Sequence, residues 1–237
     1  MSAAVSTDLD RRLEQACRQL GLQATQAQRD KLLRYVEQMQ RWNRTYNLTA
    51  VRDAGQMLVQ HVFDSLAVVP PIEAHATARP VAARPIAARP IAARPIQIMD
   101  VGSGGGLPGV VLAILHEDWQ VQCVDAVDKK TAFVRQMSGA LDLPNLQASH
   151  ARVETLPQAG CDIVVSRAFA SLPDFANLAG WHVNQEGALL AMKGRIPEDE
   201  IAALHAQGAW QVERIETLRV PELDAQRCLI WMRRAGQ

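Results

Sequence analysis

The sequence predicts an α/β fold: a doubly wound, mostly parallel sheet with an N-terminal helical extension and a C-terminal antiparallel strand pair. Strand-like apolar runs alternate with helix-like segments between residues 98 and 208, which is typical of repeated βα units. Residues 1–75 show helical periodicity, and two strand-like runs joined through Pro221 end the chain. We therefore expect a helical region at 1–75, a linker at 76–97 and an α/β domain at 98–237.

Length and composition are those of an ordinary globular chain. The 237 residues are 48% hydrophobic and 21% charged, which suits one core with a substantial appendage. Residues 1–12 lack the apolar stretch of a signal peptide, and no run is long enough to span a membrane. We therefore expect a cytoplasmic protein without membrane contact. A net charge of zero argues weakly against nucleic-acid binding.

The four cysteines are scattered, with no C-x-x-C pair and no histidine at a metal-ligand spacing. Zinc sites and disulfide frameworks are therefore not expected, and no metal is assigned. Cys123 and Cys161 fall in predicted strands, where a cysteine behaves as a small core residue.

Residues 1–75 predict helices in sequence. Apolar positions at helical spacing over 8–20 are followed by Gly21, a typical C-terminal signal. Thr25 and Gln28 form the capping-box signature of a second helix, whose apolar stripe ends at Trp42.

A third helix is predicted to start near Asp53 and to stop at residues 70–71, which are both proline. His61, Asp64 and Ser65 share one of its faces, at positions i, i+3 and i+4. They form either a hydrogen-bonded set on the helix surface or an edge that faces the substrate.

Residues 78–97 consist of a five-residue repeat, ARPVA-ARPIA-ARPIA-ARPIQ. A proline at every fifth position excludes a helix, so we expect an extended linker that loops out from the surface. Only Ile96, which leads into the first strand, is expected to pack.

From residue 96 onward the apolar pattern predicts strands and helices in alternation. The predicted strands are 96–101, 121–125, 146–148, 161–165, 188–192, 210–218 and 227–233, and the predicted helices are 107–116, 128–141, 173–183 and 197–208. In such sheets the ligand binds at the carboxyl ends of the strands.

A glycine-dense loop follows the first of these strands and opens a helix, as in sites for nucleotide-like cofactors. Gly104, Gly106 and Gly109 fit the dinucleotide pattern G-x-G-x-x-G. Read from Asp100, the same loop is D-V-G-x-G-x-G, the pattern of S-adenosylmethionine (SAM) methyltransferases, in which Gly102 and Gly104 line the turn. A carboxylate before the turn suits the ammonium group of SAM better than a pyrophosphate.

Further polar residues follow the next strands. Asp125 ends the second strand, where an acid accepts hydrogen bonds from ribose hydroxyls of NAD or SAM; it is otherwise an N-terminal cap of the next helix. Residues 152–154 follow the third strand, where a methyltransferase reads the adenine of SAM. Residues 166–167 end the fourth strand, where such enzymes place the group nearest the transferred methyl.

Six ordered motifs resemble one family along nearly the whole chain. They are W-N-x-x-Y-N-L-T (42–49), H-x-x-D-S (61–65), D-V-G-S-G-G-G-L-P-G (100–109), S-R-A-F-A-S-L (166–172), L-A-M-K-G (190–194) and P-E-D-E-I (197–201). They are similar to those of the bacterial glucose-inhibited division protein B family, the 16S ribosomal RNA guanine-N7 methyltransferases. Only the five-residue repeat departs from that family.

The resemblance implies a Rossmann-like SAM-methyltransferase fold, SAM as cofactor and a guanine of 16S ribosomal RNA, free or in the small ribosomal subunit, as substrate. It implies cofactor contacts at Gly102, Leu107, Val153, Glu154 and Arg167, with Asp125 on the ribose side; Gly104 lines the same turn. Guanine N7 has a lone pair and no proton to lose, so we expect no general base. Arg167 is expected to position SAM or the guanine O6 edge.

The RNA-facing residues are a hypothesis. Asn47, His61 and Asp64 are expected to form the N-terminal wall of a cleft. Arg135 and Lys193 belong to a basic rim near the strand ends, although any one such charge is often only a solvated surface group.

Two alternatives stay open from the residues alone. The first is an NAD(P)-dependent oxidoreductase using the Gly104 register, which lacks a Tyr/Lys or His/Asp set for hydride transfer. The second is a non-catalytic module that binds SAM or RNA.

Overall fold

The computed structural model describes residues 3–78, 94–167, 169 and 171–236. Residues 79–93, most of the predicted linker, lie outside this range. Among the described residues, no helix has the length and apolar character needed to cross a membrane.

The N-terminal region begins with two helices, α1 (Ala3–Gln19) and α2 (Gln26–Tyr46). Gly21 follows α1 with a φ of 72°, a value that glycine adopts without strain. The predicted capping box is present: the Gln28 N–H donates to the Thr25 hydroxyl at 3.2 Å, and the Thr25 N–H donates to the Gln28 side chain at 2.8 Å.

The predicted third helix is divided into successive pieces: α3 (Ala54–Met57), a π-helix (Leu58–Phe63), α4 (Asp64–Leu66) and α5 (Val69–Ala78). Asp53 caps it as predicted, accepting from the Gln56 N–H at 2.9 Å. The prediction that prolines 70–71 stop the helix is wrong. They lie in the first turn of α5, where a missing N–H removes no helical hydrogen bond.

The α/β region forms a seven-stranded sheet. The strands are β1 (Gln97–Val101), β2 (Gln120–Asp125), β3 (Leu146–His150), β4 (Cys161–Arg167), β5 (Val183–Lys193), β6 (Trp210–Leu218) and β7 (Arg227–Arg234). Their order in the sheet is β3-β2-β1-β4-β5-β7-β6. Strands β1 to β5 are parallel, and β7 runs antiparallel between β5 and β6, which confirms the predicted fold class.

Helices connect the strands on both faces: α6 (Gly109–Leu115), α7 (Asp128–Ala140), α8 (Leu172–Ala179) and α9 (Glu198–Gln207). The helix predicted at 173–183 ends earlier, and β5 starts five residues before its predicted position. The reason is that residues 184–186 are polar and only partly covered, so the apolar pattern missed them.

The buried residues form a cluster on each face of the sheet. The N-terminal helices, α6 and α7 pack on one face, and α8 and α9 pack on the other. Neighbouring residues of β1 alternate between them, Ile98 in the first and Met99 in the second, as strand geometry requires. Cys123 and Cys161 are free and buried, as predicted.

The end of the repeat is attached to the sheet. Ile96 packs partly buried against the first cluster, as predicted. The expectation that only Ile96 packs is wrong, because Arg94 donates to the buried carboxylate of Asp162 at 2.5 Å. Asp162 also accepts from the Gln97 N–H at 2.8 Å, so the acid fixes the entry into β1.

Candidate functional site

The glycine turn joins β1 to α6 at the carboxyl edge of the sheet. Gly102, Gly104 and Gly106 have φ values of 65°, 59° and 91°. Residues with a Cβ adopt such values only at a cost in free energy. The Gly102 N–H donates to the Val124 carbonyl at 2.8 Å and so holds the turn against β2. A Cβ added at Gly104 would meet nothing within 4 Å, so the turn is open to a ligand there.

Asp100 lies behind the turn rather than in it. The side chain is fully buried, and its Oδ2 accepts from the Gly109 N–H at 2.8 Å. Burial raises the pKa of this carboxyl to about 7, and the Gly109 N–H opposes the rise. The suggestion that this acid faces the ammonium group of SAM is therefore not supported; Asp100 binds the first turn of α6.

Asp125 connects the end of β2 to the glycine turn. Its Oδ2 accepts from the Gly104 N–H at 2.9 Å, and its Oδ1 accepts from the Val127 N–H at 2.8 Å. The residue is 7% exposed. Asp125 thus shapes the turn and the start of α7 at once.

A cleft of about 770 Å³ lies between the glycine turn, the N-terminal helices and the ends of β4, β5 and β7. Its volume is in the range of small-molecule sites. Of the predicted site residues, it brings together Gly102, Gly104, Leu107, His61, Asp64, Arg167 and Lys193.

The N-terminal wall contains a neutral histidine. His61 Nε2 lies 2.8 Å from the Thr49 hydroxyl, and both side chains line the cleft. Burial and, to a smaller extent, the charge of nearby Arg167 together lower the pKa of His61 to about 4. Ser65, the third member of the predicted set, is buried and donates to the His61 carbonyl at 2.7 Å.

Asp64 lies between two arginines. Its Oδ2 accepts from Arg167 Nη1 at 3.3 Å and its Oδ1 accepts from Arg227 Nε at 2.8 Å. The Asp64 side chain is 5% exposed, so this carboxylate is buried under its partners. Arg167 Nη1 also donates to the Gln60 carbonyl in the π-helix at 3.1 Å.

Lys193 ends β5 and is held by an acid from α9. Its Nζ donates to Glu200 Oε2 at 2.9 Å. Glu200 also accepts from the Leu172 N–H at 2.8 Å, at the start of α8. The P-E-D-E-I motif therefore fixes a cation of the cleft.

Other predicted residues do not line the cleft. Asn47 is the exposed left-handed cap of α2, and exposed Arg135 donates to the Ala148 carbonyl at 3.5 Å. Val153 is buried and its carbonyl accepts from His182, while Glu154 is exposed beside Arg152. Asp125 does not line the cleft itself but contacts two residues that do, the Gly104 N–H at 2.9 Å and Lys130 Nζ at 3.9 Å.

Sequence reasoning missed Arg227, Thr49 and Phe169, which also line the cleft. Arg227 begins β7, next to Cys228, which pairs with Lys193 in the antiparallel ladder. The predicted antiparallel pair indicates the place of Arg227, because a strand antiparallel to β5 starts at the edge of the sheet where β5 ends.

The lining of the cleft fits SAM. Within the described ranges, no group of three or more His, Cys, Asp or Glu residues could hold a metal ion. The open turn at Gly104 leaves space for a ligand next to the apolar side chains of Leu107 and Phe169. Open space at the turn beside an apolar wall suits an adenosine-type sulfonium cofactor.

Comparisons with known proteins agree on one family. The model of the family described as rRNA small subunit methyltransferase G matches residues 28–82 and 86–230. Curated proteins named ribosomal RNA small subunit methyltransferase G include those of Bordetella petrii and Acidovorax ebreus. The first is 64% identical over 96% of this chain and 84% of its own length, and the second is 47% identical over 98% and 99%. The chain therefore belongs to the rRNA small subunit methyltransferase G family of SAM-dependent enzymes.

Proposed function

We propose that the cleft between the glycine turn and the ends of β4, β5 and β7 transfers a methyl group from SAM to N7 of a guanine in 16S ribosomal RNA. The observation that supports this most directly is the composition of the cleft. An open glycine turn and the cations Arg167, Lys193 and Arg227 line the same cavity, so a cofactor and a nucleic acid can meet there.

The SAM side of the site extends along the neighbouring strand ends. Gly102, Gly104 and Leu107 line the cleft directly. The Ala151 N–H donates to the Asp125 carbonyl at 3.2 Å, so the segment that carries Val153 and Glu154 lies next to the end of β2. We assign Asp125 to the ribose side and Val153 and Glu154 to the adenine side. When bound, SAM supplies an electrophilic methyl group on a positively charged sulfur.

The guanine side needs positioning rather than proton transfer. N7 carries a lone pair in the ring plane and loses no proton on methylation. His61, neutral because its pKa is near 4, adds no positive charge beside the nucleophile. Arg167 is held by Gln60 and Asp64 and takes the O6 edge of the base. Alignment of this kind supplies roughly 7–11 kcal/mol in favourable cases.

The RNA must present the base outside its stack. Enzymes that modify a base in structured nucleic acid extrude it into a pocket. Cations such as Lys193 and Arg227 bind the adjoining backbone, since phosphate contacts fix the register of the nucleic acid. The partner is 16S ribosomal RNA or the small ribosomal subunit that contains it, and the place of action is the cytoplasm.

Incubation with labelled SAM and undermethylated small-subunit particles tests the proposal, with naked 16S RNA in a parallel reaction. We expect the label in one guanine. Borohydride reduction followed by aniline should cleave the strand at that guanine, as it does at an N7-methylated guanine. Label at an exocyclic nitrogen or a ring carbon, or no transfer to either substrate, would contradict it.

The oxidoreductase alternative has little support in the cleft. Tyr35 is buried and donates to the Gly105 carbonyl at 2.6 Å, so it is part of the packing behind the turn. Among the described residues that line the cleft there is no tyrosine. A thermal shift with NAD and none with SAM would reinstate this alternative.

A further inference from the structure

Asp64 links two arginines that are distant in sequence. Arg167 ends β4, and Arg227 begins β7. Their guanidinium groups, at 25% and 27% side-chain exposure, share one carboxylate that is 5% exposed. In the described part of the chain, Asp64 is the one acid that lines the cleft.

Burial of this carboxylate is costly unless its partners stay in place. Removing one member of a buried ion pair leaves a charge without compensation, whereas the intact pair is often near neutral in free energy. Two guanidinium groups around one carboxylate give this group of three a net charge of +1, and Lys130 and Lys193 also line the cleft. The arrangement therefore maintains geometry more than it adds stability.

Both arginines keep donors for a ligand. Arg167 uses Nη1 for Gln60 and Asp64, and Arg227 uses Nε for Asp64 and Nη1 for the Gln226 carbonyl. Within the described residues, the Nη2 groups of Arg167 and Arg227 have no protein acceptor. Guanidinium donors of this kind suit phosphate oxygens and the O6 of guanine.

The sheet order assigns the two arginines different parts of one nucleotide. β4 is the immediate neighbour of β1, and β7 lies two strands further out. At about 4.8 Å per strand, the backbones of Arg167 and Arg227 lie roughly 10 Å apart across the sheet. Both side chains reach Asp64, so their guanidinium groups are adjacent, with that of Arg227 on the outer side. The reacting base belongs near the turn, and its backbone belongs on the outer side beside Lys193.

We propose that Asp64 is a positioning residue that joins a guanine-binding Arg167 to a phosphate-binding Arg227. The shared carboxylate fixes the base relative to its own backbone, so that N7 enters the site in one orientation. This inference rests on the proposed methyl transfer and adds the coupling of Arg167 to Arg227 through Asp64.

The test substitution is Asp64→Asn, which keeps the shape and one acceptor oxygen but removes the charge. Removal of this negative charge makes the cleft more positive, which preserves its attraction to RNA. The two arginines, however, lose the carboxylate that they share. We expect kcat to fall about 10- to 100-fold, as misplacement by about 1 Å does. The KM for small-subunit particles and the Kd for SAM should stay within about threefold.

Glu213→Gln is the matched control. Glu213 also lies between two arginines, accepting from Arg233 Nε at 2.8 Å and from Arg214 Nη1 at 3.2 Å. It lies on β6, away from the cleft-lining residues. Its substitution should leave kcat and both binding constants unchanged within about twofold.

Arg227→Gln provides a second measurement if Asp64→Asn fails to fold. Loss of a phosphate contact should raise the KM for particles and reduce the salt slope of RNA binding by about 1, with unchanged SAM affinity.

Several outcomes would overturn the inference. They are a kcat for Asp64→Asn within about twofold of native, a loss of SAM affinity that matches the loss of kcat, or an unchanged salt slope for Arg227→Gln. Failure of the native enzyme to methylate any particle would instead reject the proposed function, so the two failures are distinguishable.

Discussion

The carboxylate of Asp125 accepts a 2.9 Å hydrogen bond from the backbone N–H of Gly104. Asp125, at the end of β2, therefore holds the glycine turn in place. The same side chain is also proposed to bind the cofactor that the turn accommodates. A ribose hydroxyl that donates to Asp125 would contact a carboxylate already fixed by Gly104 and Val127. The shape of the turn and the ribose acceptor therefore depend on one side chain.

Gly104→Asp should abolish SAM binding and leave the protein folded. The new Cβ meets no atom within 4 Å, so the core is not disturbed. The new carboxylate, however, enters the open face of the turn and lies close to Asp125, which the Gly104 N–H contacts. Calorimetry with SAM and a thermal melt measure the two effects separately.

Gly208→Asp is a suitable control for the backbone cost. Gly208 has a φ of 74°, and a Cβ there also meets nothing within 4 Å, but it ends α9, outside the cleft. Both substitutions should cost about 1 kcal/mol of stability, and only Gly104→Asp should affect SAM. Native-like SAM affinity in a folded Gly104→Asp protein would refute the assigned register.

Arg167→Ala and Lys193→Ala should differ in degree. Loss of Arg167 removes a contact to the reacting base, and we expect methyl transfer to fall about 100-fold. Lys193 contributes a phosphate contact, so its loss should weaken RNA binding with a salt slope smaller by about 1. Rates and RNA affinities at low and high salt compare them. Equal losses of salt-sensitive binding, with SAM affinity intact, would make Arg167 a phosphate contact as well.

Asp100 predicts a pH dependence of stability. Its folded pKa of about 7 lies above the ordinary value of 3.8, so folding favours the protonated form. The contribution of protonated Asp100 to the free energy of unfolding is therefore fully present below pH 3.8 and is lost as the pH rises through 7. In Asp100→Asn the side chain is always neutral, and its advantage over the native protein in unfolding free energy should grow by about 4 kcal/mol from pH 4 to 8. Urea unfolding without SAM measures this; a constant difference across pH would contradict it.

Local patterns in the sequence predicted much of the fold. The alternation of strand and helix, the capping box at Thr25 and the C-terminal antiparallel pair are all present. The failures have physical causes. A proline in the interior of a helix ends it, whereas a proline in the first turn is compatible with the start of a helix. The sequence at 70–71 does not distinguish these two cases. The π-helix at 58–63 gives no sequence signal distinct from an α-helix.

The candidate site was predicted where it follows strand ends and missed where it depends on distant contacts. Gly104, Arg167 and Lys193 each follow a recognisable strand, and all line the cleft. The pairing of Asp64 with Arg227 spans 163 positions, and no local pattern contains it. The position of Asp100 before the turn suggests a contact with the ammonium group of SAM, whereas its Oδ2 accepts from the Gly109 N–H at the start of α6.

The final unit of the five-residue repeat supplies Arg94, which donates to the buried carboxylate of Asp162. Deletion of residues 78–92 should leave the melting temperature and SAM affinity almost unchanged, because shortening a loop changes closure entropy by only about 1 kcal/mol. Arg94→Ala should destabilise the protein by roughly 1–2 kcal/mol, because the buried Asp162 loses a charged donor and keeps those of Gln97 and Asn184. Thermal melts of both variants and the native protein test this. A melting temperature that falls more on the deletion than on Arg94→Ala would show that the deleted units pack against the domain.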